Sequence, residues 1–453
     1  MKLKFNRKNK NRNNKSRFAA RCCLAAAATL LAGSAGTASV FAADAASRVA
    51  DTPATGGAAD AAAGATTPAE QDALHGFKPF LSLYGEAFYN AAGGVKNTGW
   101  WNTLADFGFE QDLAKLGAPD GLSLHFNAHW VENRPPRSRS FADATGAANP
   151  VSGIHAADHL RVFNLHLAQT LAGDRLVLKL GQLAADDEFA ISDHAGFFLN
   201  SSFGAMPSQC ATPLAAAAGG NAAFPIYAVA APGLFAAWKI NDALSLAGAV
   251  YYGGPGADTR SNYGFSYENA SNAGAAFYLE AAWTTTVAGG RATILKLGAN
   301  AHTGRFDDFK RDATARGFVS FWLAQDLALI PAKSSEPPVL GLFWRAGYAP
   351  LADRSVVAFY ADAGVVWNAP LPPRPDDALG LAVAHTRYTR AFRRADGTVA
   401  ASETTVELSY RAVFSEHFSI QADLQLLLDP LRRDDAASRH PALVPGVRAV
   451  LSF

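Results

Sequence analysis

Cysteine is almost missing from this chain. Of three residues, Cys22 and Cys23 fall in an N-terminal stretch expected to be removed, which leaves Cys210 alone. One thiol cannot close an internal disulfide, so the fold has to be held by other means. An excess of one charge is missing too: 40 basic against 39 acidic residues give no global field to gather nucleic acid or an anionic surface. Any charge selectivity has to be local. Long apolar runs are also lacking. Beyond Ala42 nothing approaches the ~18 consecutive apolar residues that a spanning helix needs, so a soluble protein or a barrel remains. The motifs of common enzymes are absent as well. There is no Gly-x-Ser-x-Gly elbow, no His-Glu-x-x-His, no phosphate loop and no dinucleotide fingerprint. His125 and His129 have the spacing of one strand face, but no cysteine or carboxylate of matching parity accompanies them. No catalytic residue, metal or cofactor is expected.

What is present begins with a basic stretch from Lys2 to Arg21, followed by a short apolar run from Cys22 to Ala32. That is the pattern of a secretory signal peptide, with Val40-Phe41-Ala42 as the cleavage site, so residues 1–42 are read as the signal. Residues 43–76 are rich in Ala, Gly, Thr and Pro. With almost no large apolar side chain they cannot offset their ordering entropy, and they are read as a disordered periplasmic tail. No linker divides the remainder, so 77–453 is read as one domain.

From Phe80 onward the apolar residues recur with period two, broken by Gly, Asn, Asp and Pro clusters, which is strand chemistry. Val406, Leu408, Tyr410 and Ala412 alternate with Thr405, Glu407, Ser409 and Arg411. Phe418, Ile420, Ala422, Leu424, Leu426 and Leu428 alternate with Ser419, Gln421, Asp423 and Gln425. Such alternation suits either a sandwich core or a membrane barrel with a polar lumen. Three features favour the barrel. The segments are near ten residues long. Aromatic residues mark their ends: Tyr84, Tyr89, Trp100, Trp101, Trp130, Trp283, Trp322, Trp344 and Trp367. The last segment alternates up to Phe453, a terminal aromatic of the kind read by the outer-membrane barrel assembly machinery. The expected fold is all-β, a transmembrane antiparallel barrel of about sixteen strands, large enough to enclose an aqueous channel.

Several motifs then carry a resemblance. In order they are Gly181-Gln182-Leu183-Ala184-Ala185-Asp186-Asp187-Glu188-Phe189, Phe197-Phe198-Leu199-Asn200-Ser201-Ser202-Phe203-Gly204, and His302-Thr303-Gly304-Arg305-Phe306-Asp307-Asp308. Farther on come Phe343-Trp344-Arg345-Ala346-Gly347-Tyr348-Ala349-Pro350, Asp362-Ala363-Gly364, Arg374-Pro375-Asp376-Asp377-Ala378-Leu379-Gly380 and Glu407-Leu408-Ser409-Tyr410-Arg411. Their order and spacing resemble the carbohydrate-selective porins of the OprB type from about Leu83 to Phe453. Asn300, Asp429-Pro430-Leu431 and the Ala-rich stretch 207–224 depart from that pattern. The resemblance implies passive passage of small sugars across the outer membrane of a Gram-negative bacterium. The implied partners are the solute, outer-membrane lipid and the assembly machinery, with no nucleic acid, and the protein is a monomer or a homotrimer. The rival readings are a general diffusion porin, a barrel enzyme and a structural anchor.

A sugar offers hydroxyls at its edge and C–H groups on its faces, so a selective pore needs paired charges and aromatic surface, and must bind weakly enough to release. By parity the lumen wall should carry Glu86, His125, Asn127, His129, Lys179, Lys296, Asn300, Glu407, Arg411, Gln421, Asp423 and Arg448. The segment 186–204 breaks alternation with Asp186, Asp187, Glu188 and Asp193 among aromatics. It is either an external loop or a loop folded into the lumen. If folded in, its acids should approach Lys179, Arg345 and Arg411 on the opposite wall and form the constriction with them.

Overall fold

A computed structural model describes residues 75–134, 141–210, 223–311, 313–332, 337–397, 400–430 and 440–453. The expected signal peptide, and the expected tail up to residue 74, lie outside the described residues. The ordered chain forms β1 (Phe77–Tyr89), β2 (Gly99–Asp112), β3 (Leu122–Arg134), β4 (His159–Leu171), β5 (Leu176–Leu183), β6 (Ala231–Lys239), β7 (Leu244–Tyr252) and β8 (Ala275–Val287). It continues as β9 (Arg291–Asp308), β10 (Ala313–Ile330), β11 (Leu340–Tyr348), β12 (Val357–Asn368), β13 (Ala378–Tyr388), β14 (Ser402–Ser415), β15 (Phe418–Leu428) and β16 (Ala442–Ser452). These sixteen strands make one closed barrel in which each pairs with its sequence neighbours and β1 pairs with β16. Closure leaves no sheet edge, so every strand finds backbone partners on both sides, as a hydrocarbon solvent demands. The last residue takes part: Phe453 N donates to Leu81 O at 2.8 Å, and Leu81 N to Phe453 O at 3.0 Å.

Register fixes which side chains face out. Leu408 opposes Leu424 and Glu407 opposes Gln425 in the β14–β15 ladder. The two leucines are 45% and 40% exposed, whereas Glu407 and Gln425 are fully buried inside. A one-residue slip would exchange the two faces. Outward aromatics form two belts: Tyr89, Trp101, Trp130 and Tyr348 at one end, and Trp238, Trp283, Trp367 and Phe414 at the other. Such paired girdles are the mark of a barrel seated in a bilayer. Three aromatics expected there do not belong to them. Tyr84, Trp100 and Trp322 point inward and are buried, because their position in the strand gives them the lumen parity.

The two ends of the barrel differ. Short connections at one end, such as 172–175, 240–243, 288–290 and 416–417, contrast with 135–158, 184–230 and 253–274 at the other. The largest buried apolar cluster lies inside the barrel. It joins Phe189, Phe197, Phe198, Phe203, Met206 and Phe224 of the 184–230 connection to Tyr278, Trp322, Phe343 and Tyr360 of the wall.

Candidate functional site: the loop-narrowed lumen

The connection from β5 to β6 folds into the barrel, as its contacts with inward residues of many strands require. Arg345 of β11 donates from NH1 to Gly204 O (2.7 Å) and from NH2 to Phe203 O (2.7 Å) and Ser202 O (3.1 Å). Tyr360 of β12 donates to Ser202 O at 2.6 Å. Glu407 of β14 accepts Leu199 N at 2.6 Å and Asn200 N at 2.9 Å. Gln421 of β15 donates to Phe197 O (2.8 Å), and Gln425 Oε1 accepts Asn200 Nδ2 (2.9 Å). On the other flank Glu280 of β8 accepts Ala190 N (2.8 Å), Lys296 of β9 donates to Ile191 O (2.8 Å) and Asn300 to Gln209 O (2.9 Å). Apart from the Gln425–Asn200 side-chain bond, each satisfies a loop backbone group that the interior would otherwise leave bare.

Shape explains Gly347 and Gly380 of the quoted motifs and Gly341 beside the first. A Cβ on Gly347 would come 2.0 Å from Ser208 Oγ, one on Gly380 2.6 Å from the Phe197 ring, and one on Gly341 2.3 Å from the His194 ring. These inward positions are sockets for loop side chains. The Arg345-Ala346-Gly347 and Asp362-Ala363-Gly364 motifs therefore serve loop docking: Asp362 is the ion-pair partner of Arg345, with NH2 to Oδ2 at 2.6 Å and both side chains buried. The Arg374–Gly380 motif makes a turn instead. Asp377 accepts Arg374 NH2 at 3.0 Å, Val413 N at 2.9 Å and the Tyr410 hydroxyl. The Arg374 and Tyr410 bonds hold its carboxyl down at about 2.

A second connection, 141–158, enters beside the first. Glu403 of β14 accepts Ala148 N (2.8 Å) and Asn149 N (3.0 Å), Gln425 donates to Val151 O (2.8 Å), and Ser152 Oγ donates to Glu86 Oε2 (2.5 Å). The two connections bond to each other, Gly153 N to Leu199 O at 2.7 Å and Ser201 N to Pro150 O at 3.0 Å. A third, 253–274, is held by Arg161 of β4, which donates to Asn262 O (2.8 Å) and Asp258 Oδ1 (3.0 Å).

The acidic cluster at the start of the infolded loop meets one of its three expected partners, Lys179, and neither arginine. Lys179 Nζ meets Glu188 Oε1 at 2.6 Å, but Lys179 stands on β5, immediately before the loop, not on the opposite wall. Asp187 Oδ2 accepts Asn164 Nδ2 (3.1 Å) and Asp186 Oδ2 accepts Tyr227 N (2.9 Å). Arg345 is engaged with Asp362 and the loop carbonyls, and the Arg411 guanidinium lies 5.4 Å over the Phe197 ring. Neither arginine pairs with these acids, because the chain between Phe189 and Gly204 crosses the lumen and delivers aromatic rings and carbonyls to that wall instead. Burial raises Asp186 to about 6, and burial together with Asp186 raises Asp187 well above the usual carboxylate range. Burial also raises Glu188, against the pull of Lys179.

The remaining wall candidates all face inward. Glu86 is paired with Arg448, whose Nε lies at 2.7 Å, and accepts Asn102 Nδ2 at 3.2 Å. Asn127 donates to Asp106 (2.9 Å), with His129 3.4 Å from the same carboxylate. Asp423 accepts Ser409 Oγ (2.7 Å) and Gln425 Nε2 (2.9 Å). His125 stacks on His166, 5.0 Å between ring centroids, and no group of three or more His, Cys, Asp or Glu that could hold a metal ion is found among the described residues. Cys210 is buried, and burial raises its thiol pKa. Sequence reasoning missed Arg161, Glu280, Tyr360, Asp362, Glu403 and Asp326, which accepts Ser192 Oγ at 2.5 Å. Most carry inward parity on long strands, so counting charged and phenolic groups by parity would have found them.

Comparison with known proteins agrees with this geometry. The structure matches the high-pH structure of Pseudomonas putida OprB with a TM-score of 0.74 at 18% identity, covering 88% of this chain and all of that one. It matches the low-pH structure of the same protein with a TM-score of 0.54 at 15% identity, covering 88% of this chain and 99% of that one. No curated protein sequence matches. At such identities the likeness speaks for the fold. The family description "Carbohydrate-selective porin, OprB family" matches residues 102–453, and the chain therefore belongs to that family.

Proposed function

We propose that the protein is a passive, sugar-selective channel of the Gram-negative outer membrane. The observation that carries this reading is the family match across 102–453 on a barrel whose inner wall is polar and whose lumen is narrowed by a loop fixed to it. Narrowing without an excess of either charge suits a neutral polyol: ions meet paired charges, and hydroxyls meet donors and acceptors together. Short turns face the periplasm and long connections the exterior in such barrels, so solute enters past 135–158 and 253–274 and leaves between the short turns. Residues 1–42 would serve export, 43–76 would be a periplasmic tail and Phe453 would be read during assembly. A channel of this kind is not an enzyme and needs no cofactor. Liposomes carrying the purified protein should swell faster in glucose than in a neutral amino acid of comparable size. Equal rates would leave a general diffusion porin.

A further inference from the structure

Most inward polar groups are engaged with the infolded loops, but one part of the inner surface has a different character. On the short-turn half of the wall, three rings follow one another on β1, β3 and β4. Phe80 of β1 and His125 of β3 stack with centroids 6.0 Å apart and planes at 20°. His125 and His166 of β4 stack at 5.0 Å and 27°. The first stack spans an intervening strand, which is feasible because β2 places Gly108 opposite Phe80 and so offers no side chain to separate the rings. The second follows directly from register, His125 standing opposite His166. On the next strand Lys179 lies 5.6 Å from the Phe235 ring and holds Glu188 of the loop at 2.6 Å. The row of rings therefore leads to an ion pair at the foot of the infolded loop. His166 Nδ1 is buried there with no hydrogen-bond partner among the described residues.

The chemistry of that row differs from a wetted wall. Aromatic rings offer a surface for the C–H groups of a pyranose, and an ion pair at one end can both donate to and accept from adjacent hydroxyls. An inorganic ion gains little from either. The geometry points to a sugar subsite on the short-turn side of the loop, formed by Phe80, His125 and His166 with the Lys179–Glu188 pair at its inner end. It takes a neutral monosaccharide or the terminal ring of a disaccharide. This rests on the sugar-channel reading and adds where the solute pauses. Phe80 and His125 are partly exposed while His166 is buried, so a solute would rest against the first two rings and leave again, as conduction requires.

The test uses the full chain in planar bilayers, with glucose titrated against the potassium chloride current. Wild type should show a saturable, glucose-dependent reduction of current. Phe80→Ala and His125→Ala should each raise the half-blocking glucose concentration about three- to tenfold, the size expected for loss of one ring contact, while the sugar-free conductance changes little. His125→Phe keeps a ring in the row and should hold the half-blocking concentration near wild type, which separates loss of the stack from loss of folding. Half-blocking concentrations unchanged in both alanine variants would overturn the subsite and leave the sugar channel standing. A wild-type channel that conducts but is not blocked by glucose at any concentration would overturn both.

Discussion

The inner faces of β11–β15 and of the short-turn half of β1–β5 carry polar groups at the same strand parity, yet the two stretches use them differently. On β11–β15, Arg345, Tyr360, Glu407 and Gln421 are committed to backbone groups of the 184–230 connection, and Gly347 and Gly380 are hollows for its side chains. On β1–β5, Phe80, His125 and His166 contact one another, and Lys179 reaches only the first turn of the loop. Parity thus decides which face a side chain occupies. The path of the loop decides whether that side chain meets protein or solute. The first stretch is scaffold for the infolded loop; the second carries the proposed resting place of the solute.

Breaking the scaffold should have the largest effect. Arg345→Ala leaves the Asp362 carboxylate buried without its ion-pair partner and removes a donor from the Phe203 and Gly204 carbonyls, so it should cost about 3–5 kcal/mol. Heat-modifiability on unboiled gels, read as the temperature at which the folded band is lost, should fall clearly. His125→Ala on the other stretch should leave it nearly unchanged.

The next effect separates lumen from lipid. Leu408→Arg places a charge on the outward face and should cost about 2–4 kcal/mol if it sits near the bilayer midplane, seen as a reduced inserted fraction. Gln421→Arg stays in the lumen. It should insert normally and disturb only the hold on Phe197 O. Similar insertion defects in both would mean that the faces are assigned the wrong way round.

The smallest effect concerns acidity at the foot of the loop. Asp186 is raised to about 6 by burial. A carboxyl raised in the folded state stabilises it most below the ordinary value of about 4, and that contribution is lost as pH rises through about 6. The loop should therefore be held more firmly in acid, and open-channel current noise should grow between pH 4.5 and 7. Asp186→Asn should flatten that trend, and an unchanged trend would place the responsible group elsewhere.

Much of the barrel was legible in the sequence. Period two is local, so Leu408 and Leu424 could be set outward and Glu407 and Gln421 inward without any three-dimensional knowledge, and the span from Phe77 fitted sixteen strands. The loop was only half legible. The break in alternation after Gln182 marked it, but infolded and external paths looked alike, because what separates them is the wall residues it reaches, hundreds of positions away in sequence. For the same reason Arg345 and Arg411 were matched with Asp186 and Glu188 on charge alone. The actual partners, Asp362 and the Phe197 ring, depend on barrel register and on the crossing of the lumen. Tyr84, Trp100 and Trp322 were assigned to the girdles by their type, although one step in parity turns each inward.

If the docked loop, not the ring of strands, sets the aperture, releasing it should widen the channel. The most direct measurement is the size cutoff of liposome swelling, taken with solutes from monosaccharide to oligosaccharide, for wild type and for the Arg345→Ala protein that remains inserted. A larger cutoff and a higher single-channel conductance are expected in the variant, with the preference for glucose over amino acids diminished. An identical cutoff and conductance in the inserted variant would show that the loop bonded to Arg345 does not form the narrowest part of the channel.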